Sequence, residues 1–174
     1  RPWAGKRVLL HFGASDFETT VIVNNLNAGV HKGGYDPFTM DITKVLNPYG
    51  RNELVVAVWD PTDASPNSRG KQVRKPNGIW YTPTTGIWQT VWLEPVPKTH
   101  VRSVRLTPSV DKSEIEVALD VANLTVLDPS RVRLAMDVRF SSASGQPKVD
   151  FGIQHVSGFG GAKSELVARI SLPP

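Results

Sequence analysis

Covalent or acid–base chemistry needs nucleophiles, metal ligands or paired carboxylates, and this 174-residue chain supplies them unevenly. It has no cysteine and no Gly-x-Ser-x-Gly elbow that would hold a serine against a histidine, so neither thiol nor serine catalysis finds a motif. His11, His31, His100 and His155 are far apart and match no ligand spacing, so no zinc site is suggested, and no cofactor is implied. Asp60 and Asp63, in Asp60-Pro61-Thr62-Asp63, offer oxygens that suit calcium, but an Asp-Pro pair leaving a strand reads better as a plain turn. Gly33-Gly34 and Gly160-Gly161 lack the following Lys-Ser/Thr or helix of a phosphate cradle. Glycosidic cleavage uses two carboxylates flanking the scissile bond. The glutamates Glu18, Glu53, Glu114, Glu116 and Glu165 fall in or beside predicted strands, where outward, solvated positions account for them.

Aromatic residues offer a different chemistry. Their faces stack on the apolar face of a sugar ring while amide and charged side chains bond its hydroxyls. Trp59, Trp88 and Trp92 lie within predicted strands and are assigned to the core, whereas Trp80 and Tyr81, in a loop, suit ligand contact and structure equally. The densest basic stretch, Arg69, Lys71, Arg74 and Lys75, precedes that aromatic pair, an order compatible with a groove for nucleic acid. A solvated loop is the stronger reading, because most of the net charge of +4 is dispersed over the chain.

The elements that must position these residues are strands. With 40% hydrophobic and 21% charged residues the chain is neither disordered nor membrane-spanning, and its length suits one domain or two small ones rather than a complete multidomain enzyme. Fourteen Gly and 14 Pro punctuate short apolar bursts, no helical periodicity is sustained, and the class is all-β. Residues 1–6 contain no apolar run, so no signal peptide is visible; the compartment stays open, a secreted or periplasmic one included.

Strands are predicted from Arg7 to Phe12 and from Phe17 to Val23, joined by a short turn, the second ending at Asn24-Asn25. Thr43 to Leu46 suits one helical turn capped by Asp41 or Thr43. Glu53 to Trp59 is apolar at nearly every position, as in a central strand covered on both faces. Asp60 to Pro83 is a long polar loop, and a connection of that length usually carries function. Gly86 to Leu93 resumes a single strand with Trp88, Thr90 and Trp92 on one face. Glu94-Pro95-Val96-Pro97-Lys98 reads as a linker. Beyond it lie aliphatic alternations at 101–106, 115–121, 132–140, 149–153 and 166–172, with Glu116, Ala118 and Asp120 pointing outward, about five strands of a sandwich.

Taken in order, Gly5-Lys6-Arg7-Val8-Leu9-Leu10-His11-Phe12-Gly13-Ala14, Thr20-Val21-Ile22-Val23-Asn24, Gly33-Gly34-Tyr35-Asp36-Pro37-Phe38 and Asp41-Ile42-Thr43 resemble the N-terminal sugar-binding jelly roll of glycoside hydrolase family 2. Asn52 to Val56, Val58 to Asp63, Arg69 to Gln72, Gly78 to Pro83 and Gly86 to Glu94 continue that resemblance. It implies a galactose-binding-like jelly-roll β-sandwich over 1–97 and an immunoglobulin-like β-sandwich over 98–174. Both are expected to be incomplete, the first lacking its opening strands and the second its last, as in an internal piece of a longer hydrolase.

The resemblance also implies a parent enzyme of the β-galactosidase, β-glucuronidase and β-mannosidase kind, cleaving terminal β-linked sugars with retention. Its two catalytic glutamates would lie on a TIM barrel of the same polypeptide, and no glutamate here inherits their roles. What carries over is accessory: a jelly-roll loop reaching the barrel mouth, matched here by 69–81, with Arg69, Gln72, Asn77 and Trp80 as substrate-binding candidates. Docking on the barrel is an equal use of that loop. The partners implied are a carbohydrate and the barrel, with neither nucleic acid nor membrane. The alternative reading is a free-standing carbohydrate-binding module without hydrolase activity.

Overall fold

The computed structural model describes residue 3, residues 5–123, and the strand segments 140–141, 147–148 and 165–171. Among the described residues the regular structure is β-strand apart from a single 3₁₀ turn, the all-β architecture that the composition implies. The chain separates into two compact units, Arg1–Pro97 and Lys98–Pro174.

In the first unit, β1 (Arg7–Phe12) and, after the two-residue β2 (Ser15–Asp16), β3 (Glu18–Val23) alternate half-buried and buried positions along their length. That period of two commits one face of each strand to the interior. β1 and β3 are not joined by a short turn alone, as expected: β2 lies between them, and each is central in its own sheet. β3 instead turns at Asn24-Asn25, both with positive φ (51° and 64°), into β4 (Leu26–Lys32), the backbone that a two-residue hairpin favours. β5 (Phe38–Asp41) returns to pair with β1. The 3₁₀ turn Thr43–Val45 follows; its N-cap position is Ile42, which offers no side-chain cap, and Asp41 Oδ1 instead accepts Thr43 N–H at 3.0 Å just ahead of the turn.

β6 (Leu54–Trp59) pairs with β3, β7 (Gly86–Ile87) with β2, and β8 (Val91–Val96) with β1. The two larger sheets, ordered β5-β1-β8 and β4-β3-β6, meet through Val8, Leu10, Phe12 and Met40 of the first and Val21 and Val23 of the second, with Ile42, just past β5, packed among them. Each fully buried side chain of this size contributes roughly 1.5–3 kcal/mol relative to exposure. Thr19 and Ser15, also buried, satisfy each other through a hydroxyl–hydroxyl bond of 2.8 Å.

Several expectations are corrected. β6 is the outer member of its described sheet rather than a doubly covered centre, and most of its residues are exposed; its apolar run reflects strand propensity, not burial. Gly86 to Leu93 is two strands in different sheets, because Trp88 and Gln89 N–H both turn onto Ala14 C=O (3.3 and 3.4 Å) while Gly13 N–H takes Thr90 C=O at 2.9 Å. Trp88, Thr90 and Trp92 consequently do not share one strand face. Trp59, Trp88 and Trp92 are exposed rather than core. Glu94 to Val96 is strand, Pro95 sitting opposite Val8, so a linker does not begin there.

In the second unit β9 (Val101–Ser109), β10 (Glu114–Val121) and β13 (Glu165–Ser171) form a sheet with β10 between the others, and β11 (Phe140–Ser141) pairs with β12 (Pro147–Lys148). Val117, Leu119 and Val121 are buried as the alternation implies, but Ala118, expected outward, is buried as well; its methyl is small enough to be covered from either side. The predicted strands at 132–140 and 149–153 lie largely or wholly outside the described residues.

Candidate functional site

The connection between β6 and β7 is built by its own acids and hydroxyls. Asp60 Oδ1 accepts Thr62 N–H at 2.7 Å, and its Oδ2 accepts the Thr85 hydroxyl at 3.2 Å, tying the start of the loop to its end. Thr62, with φ +53°, completes the turn expected of Asp60-Pro61. At the next residue, Asp63 Oδ1 accepts both the backbone N–H and the guanidinium Nε of Arg74, at 3.2 and 2.9 Å. The Arg74 hydrogen bonds hold the Asp63 carboxyl below the usual carboxylate range. Arg74 is therefore committed inside the loop, and the stretch from Arg69 to Lys75 is not a continuous free basic groove.

The loop's two arms join in an isolated bridge between Gln72 and Tyr81, with Tyr81 N–H on Lys71 C=O at 2.7 Å and Val73 N–H on Tyr81 C=O at 3.1 Å. The Asn77-Gly78-Ile79-Trp80 turn closes beyond it, Trp80 N–H reaching Asn77 C=O at 3.1 Å. Gly78, at φ +57°, adopts a conformation that costs other residues energy. The turn leaves Ile79, Trp80 and Tyr81 exposed, and Lys71 Nζ lies 5.9 Å from the Tyr81 ring centroid. The loop is a polar-braced support for an apolar, aromatic tip.

The four predicted site residues fall into two pairs on this support. Arg69 C=O accepts Gln72 N–H at 3.2 Å, so these two are adjacent; Asn77 and Trp80 are the ends of the tip turn. Gln72 Oε1 is turned to the loop's other arm, accepting Thr84 N–H and the Thr84 hydroxyl at 2.6 and 3.0 Å. Arg69 is half-buried, and its Nε has no hydrogen-bond partner among the described residues. Asn77 and Trp80 are exposed.

Residue types alone did not point to a second group, around Gly34. Asp16 is buried, with Oδ1 unpartnered among the described residues. A Cβ on Gly34 would stand 2.7 Å from that oxygen, so only glycine admits the carboxylate there. Burial, and then the negative charge of Asp60, raise the Asp16 pKa. On its other side Gly34 receives the Trp88 indole N–H on its carbonyl at 2.7 Å. The glycine pair at 33–34 is the signal the sequence offers for this group, though as residue types it suggests only an incomplete phosphate cradle. Among the described residues no group of three or more His, Cys, Asp or Glu stands ready to hold a metal.

No protein-family model matches the chain. It is 36% identical over 118 residues to the β-galactosidase of Thermoanaerobacter pseudethanolicus, a match covering 67% of this chain and 15% of that protein. Its fold is similar to that of a glycosyl hydrolase family 2 member from Bacteroides cellulosilyticus, with a TM-score of 0.53 and 22% identity over 72% of this chain and 16% of the other. A β-glucuronidase from Faecalibacterium prausnitzii superposes with a TM-score of 0.59 and 22% identity, over 98% of this chain and 29% of that enzyme. The chain thus spans less than a third of the length of each.

An all-β chain that matches one small portion of much longer glycosidases is similar to the β-regions of large glycoside hydrolases. More specifically, the chain is related to the N-terminal β-domains of glycoside hydrolase family 2.

Proposed function

We propose that the chain supplies the non-catalytic β-domains of a family 2 glycoside hydrolase, with residues 1–97 as the sugar-binding jelly roll and 98–174 as the immunoglobulin-like domain. The parent enzyme hydrolyses terminal β-glycosidic bonds with retention, in the manner of a β-galactosidase. The observation that carries this reading is the 36% identity to a β-galactosidase over two thirds of the chain. Retention requires a nucleophilic carboxylate and an acid/base carboxyl about 5–5.5 Å apart, working through a covalent glycosyl-enzyme. Those groups belong to a TIM-barrel domain of the same polypeptide.

The role left to this chain is positioning. Loop 69–81 is braced by Asp63–Arg74 and Gln72–Thr84, so its tip keeps its shape without bound sugar, and a preformed contact loses little entropy on binding. Trp80 offers a ring face to the terminal sugar, while Asn77 and Arg69 offer donors for hydroxyls. Gln72 acts through the loop's shape. In the full-length enzyme, Trp80→Ala is expected to lower kcat/KM for nitrophenyl β-galactoside about tenfold, the loss of about 1.4 kcal/mol of transition-state binding, with stability changed by only about 0.5 kcal/mol. The 174-residue chain by itself should not hydrolyse the β-galactoside, β-glucuronide or β-mannoside. Turnover by the purified chain, or an unaltered kcat/KM in the variant, overturns the reading.

A further inference from the structure

A second aromatic surface lies on β1 and β8, on residues outside the long loop. His11 and Trp92 are cross-strand neighbours whose rings stack at 4.8 Å between centroids and 11° between planes. The imidazole is clamped at both nitrogens, Nδ1 to the Thr39 hydroxyl at 2.8 Å and Nε2 to Glu94 Oε2 at 3.0 Å. An indole pressed against a ring that cannot turn is itself fixed. The imidazole covers one face of Trp92, yet the residue remains 44% exposed.

Beside it opens a cleft of about 590 Å³ lined by Gly13, Tyr35, Pro37, Gln89, Thr90 and Trp92. Its other walls are held too. Gln89 lies across Gly13, where a Cβ would come within 2.7 Å of the Gln89 Cβ and 3.0 Å of its Oε1. Tyr35 stands edge-on to Trp88 at 5.9 Å, and Trp88 is tied to Gly34 C=O. Among the described residues, the Gln89 amide and the Tyr35 and Thr90 hydroxyls have no hydrogen-bond partner, and no charged side chain lines the cleft.

We propose that this cleft is a binding subsite for neutral, β-linked pyranose chains, distinct from the loop 69–81 contact. A pyranose with equatorial hydroxyls presents a C–H face that stacks on an indole, and its rim of hydroxyls needs neutral donors and acceptors at the ring's edge. A fixed Trp92 with an amide and two hydroxyls around it meets both needs. An uncharged lining selects neutral sugars over uronic acids, and a cleft of this volume falls in the range of small-ligand sites. Because the rings are already held, binding immobilises few side chains. The inference needs neither the barrel nor the loop.

Calorimetric titration of the 174-residue chain with cellotetraose, laminaritetraose and β-1,4-galactotetraose tests it, with the tryptophan indole N–H signals followed by NMR. At least one tetrasaccharide should bind saturably and shift the Trp92 signal. Trp92→Ala should weaken binding about tenfold and Gln89→Ala about threefold, while Trp59→Ala leaves it unchanged. Absence of saturable binding by the unaltered chain, or binding that shifts Trp80 and not Trp92, overturns the proposal. Should Trp92→Ala fail to fold, the Gln89→Ala titration and the indole shifts still decide. Loss of hydrolysis in Trp80→Ala, together with no tetrasaccharide binding, would sink this subsite and leave the proposed function standing.

Discussion

Within the first unit, the facing sides of β1 and β3 and the segments that carry tryptophan treat apolar residues in opposite ways. Leu10, Phe12, Val21 and Val23 are at most 1% exposed, whereas each described tryptophan is more than 40% exposed. A narrow aliphatic seam holds the two sheets together, and the large aromatic surfaces are displayed at the rim and on the loop. Exposed aromatics grouped on braced supports mark contact surfaces. Hydrophobicity alone would have put both groups in one core.

The contrast is sharpest under truncation. Leu10→Ala or Phe12→Ala removes a fully buried side chain from the seam and is expected to cost about 3–5 kcal/mol, read as a lowered urea midpoint. Trp80→Ala, although it deletes a larger side chain, should move stability by only about 0.5 kcal/mol. Comparable losses at both sites would erase the distinction between seam and display.

The seam was legible in the sequence and the display was not, for a physical reason. Arg7 to Phe12 and the strand ending at Val23 each bury one face, and the turn residues that close their apolar bursts mark where they end. Asn24-Asn25 marks a turn because asparagine tolerates positive φ. β4 went unseen: Leu26-Asn27-Ala28-Gly29 has neither alternation nor strand propensity, and pairing with β3 holds it extended. β6 misled in the other direction, since Leu54-Val55-Val56-Ala57-Val58-Trp59 has the content of a buried strand and an outer position. Loop 60–83 announced itself by length and polarity. The Asp16–Gly34 contact and the His11–Trp92 stack join residues 18 and 81 positions apart, and only strand pairing and loop closure bring them together.

Asp16 tests the border between the two regions, with an effect of the opposite sign. Its folded-state pKa is raised from the ordinary 3.8, so the folded protein favours the neutral carboxyl. The stability tied to that proton is fully present below pH 3.8 and is lost as pH rises through the folded value. Asn is neutral throughout. Asp16→Asn should therefore raise the melting temperature at pH 7, and the gain should shrink as pH falls through the folded value toward 3.8 and be gone below it. A gain that grew in acid would mean that the carboxylate is stabilised where it sits, and that the Gly34 surroundings hold its charge.

One tryptophan belongs to both regions. Trp88 is 53% exposed, yet its indole N–H bonds Gly34 C=O at 2.7 Å, anchoring the displayed ring to the backbone beside buried Asp16. Trp88→Phe keeps an aromatic edge for Tyr35 and removes the hydrogen bond, which should cost about 1 kcal/mol. Hydrogen exchange at residues 33–35 should quicken while exchange in β1 and β3 stays as it was, because the seam does not depend on that anchor. Faster exchange spreading into β1 would show that the aromatic rim helps to hold the sheets together, and the division between seam and display would then be one of degree.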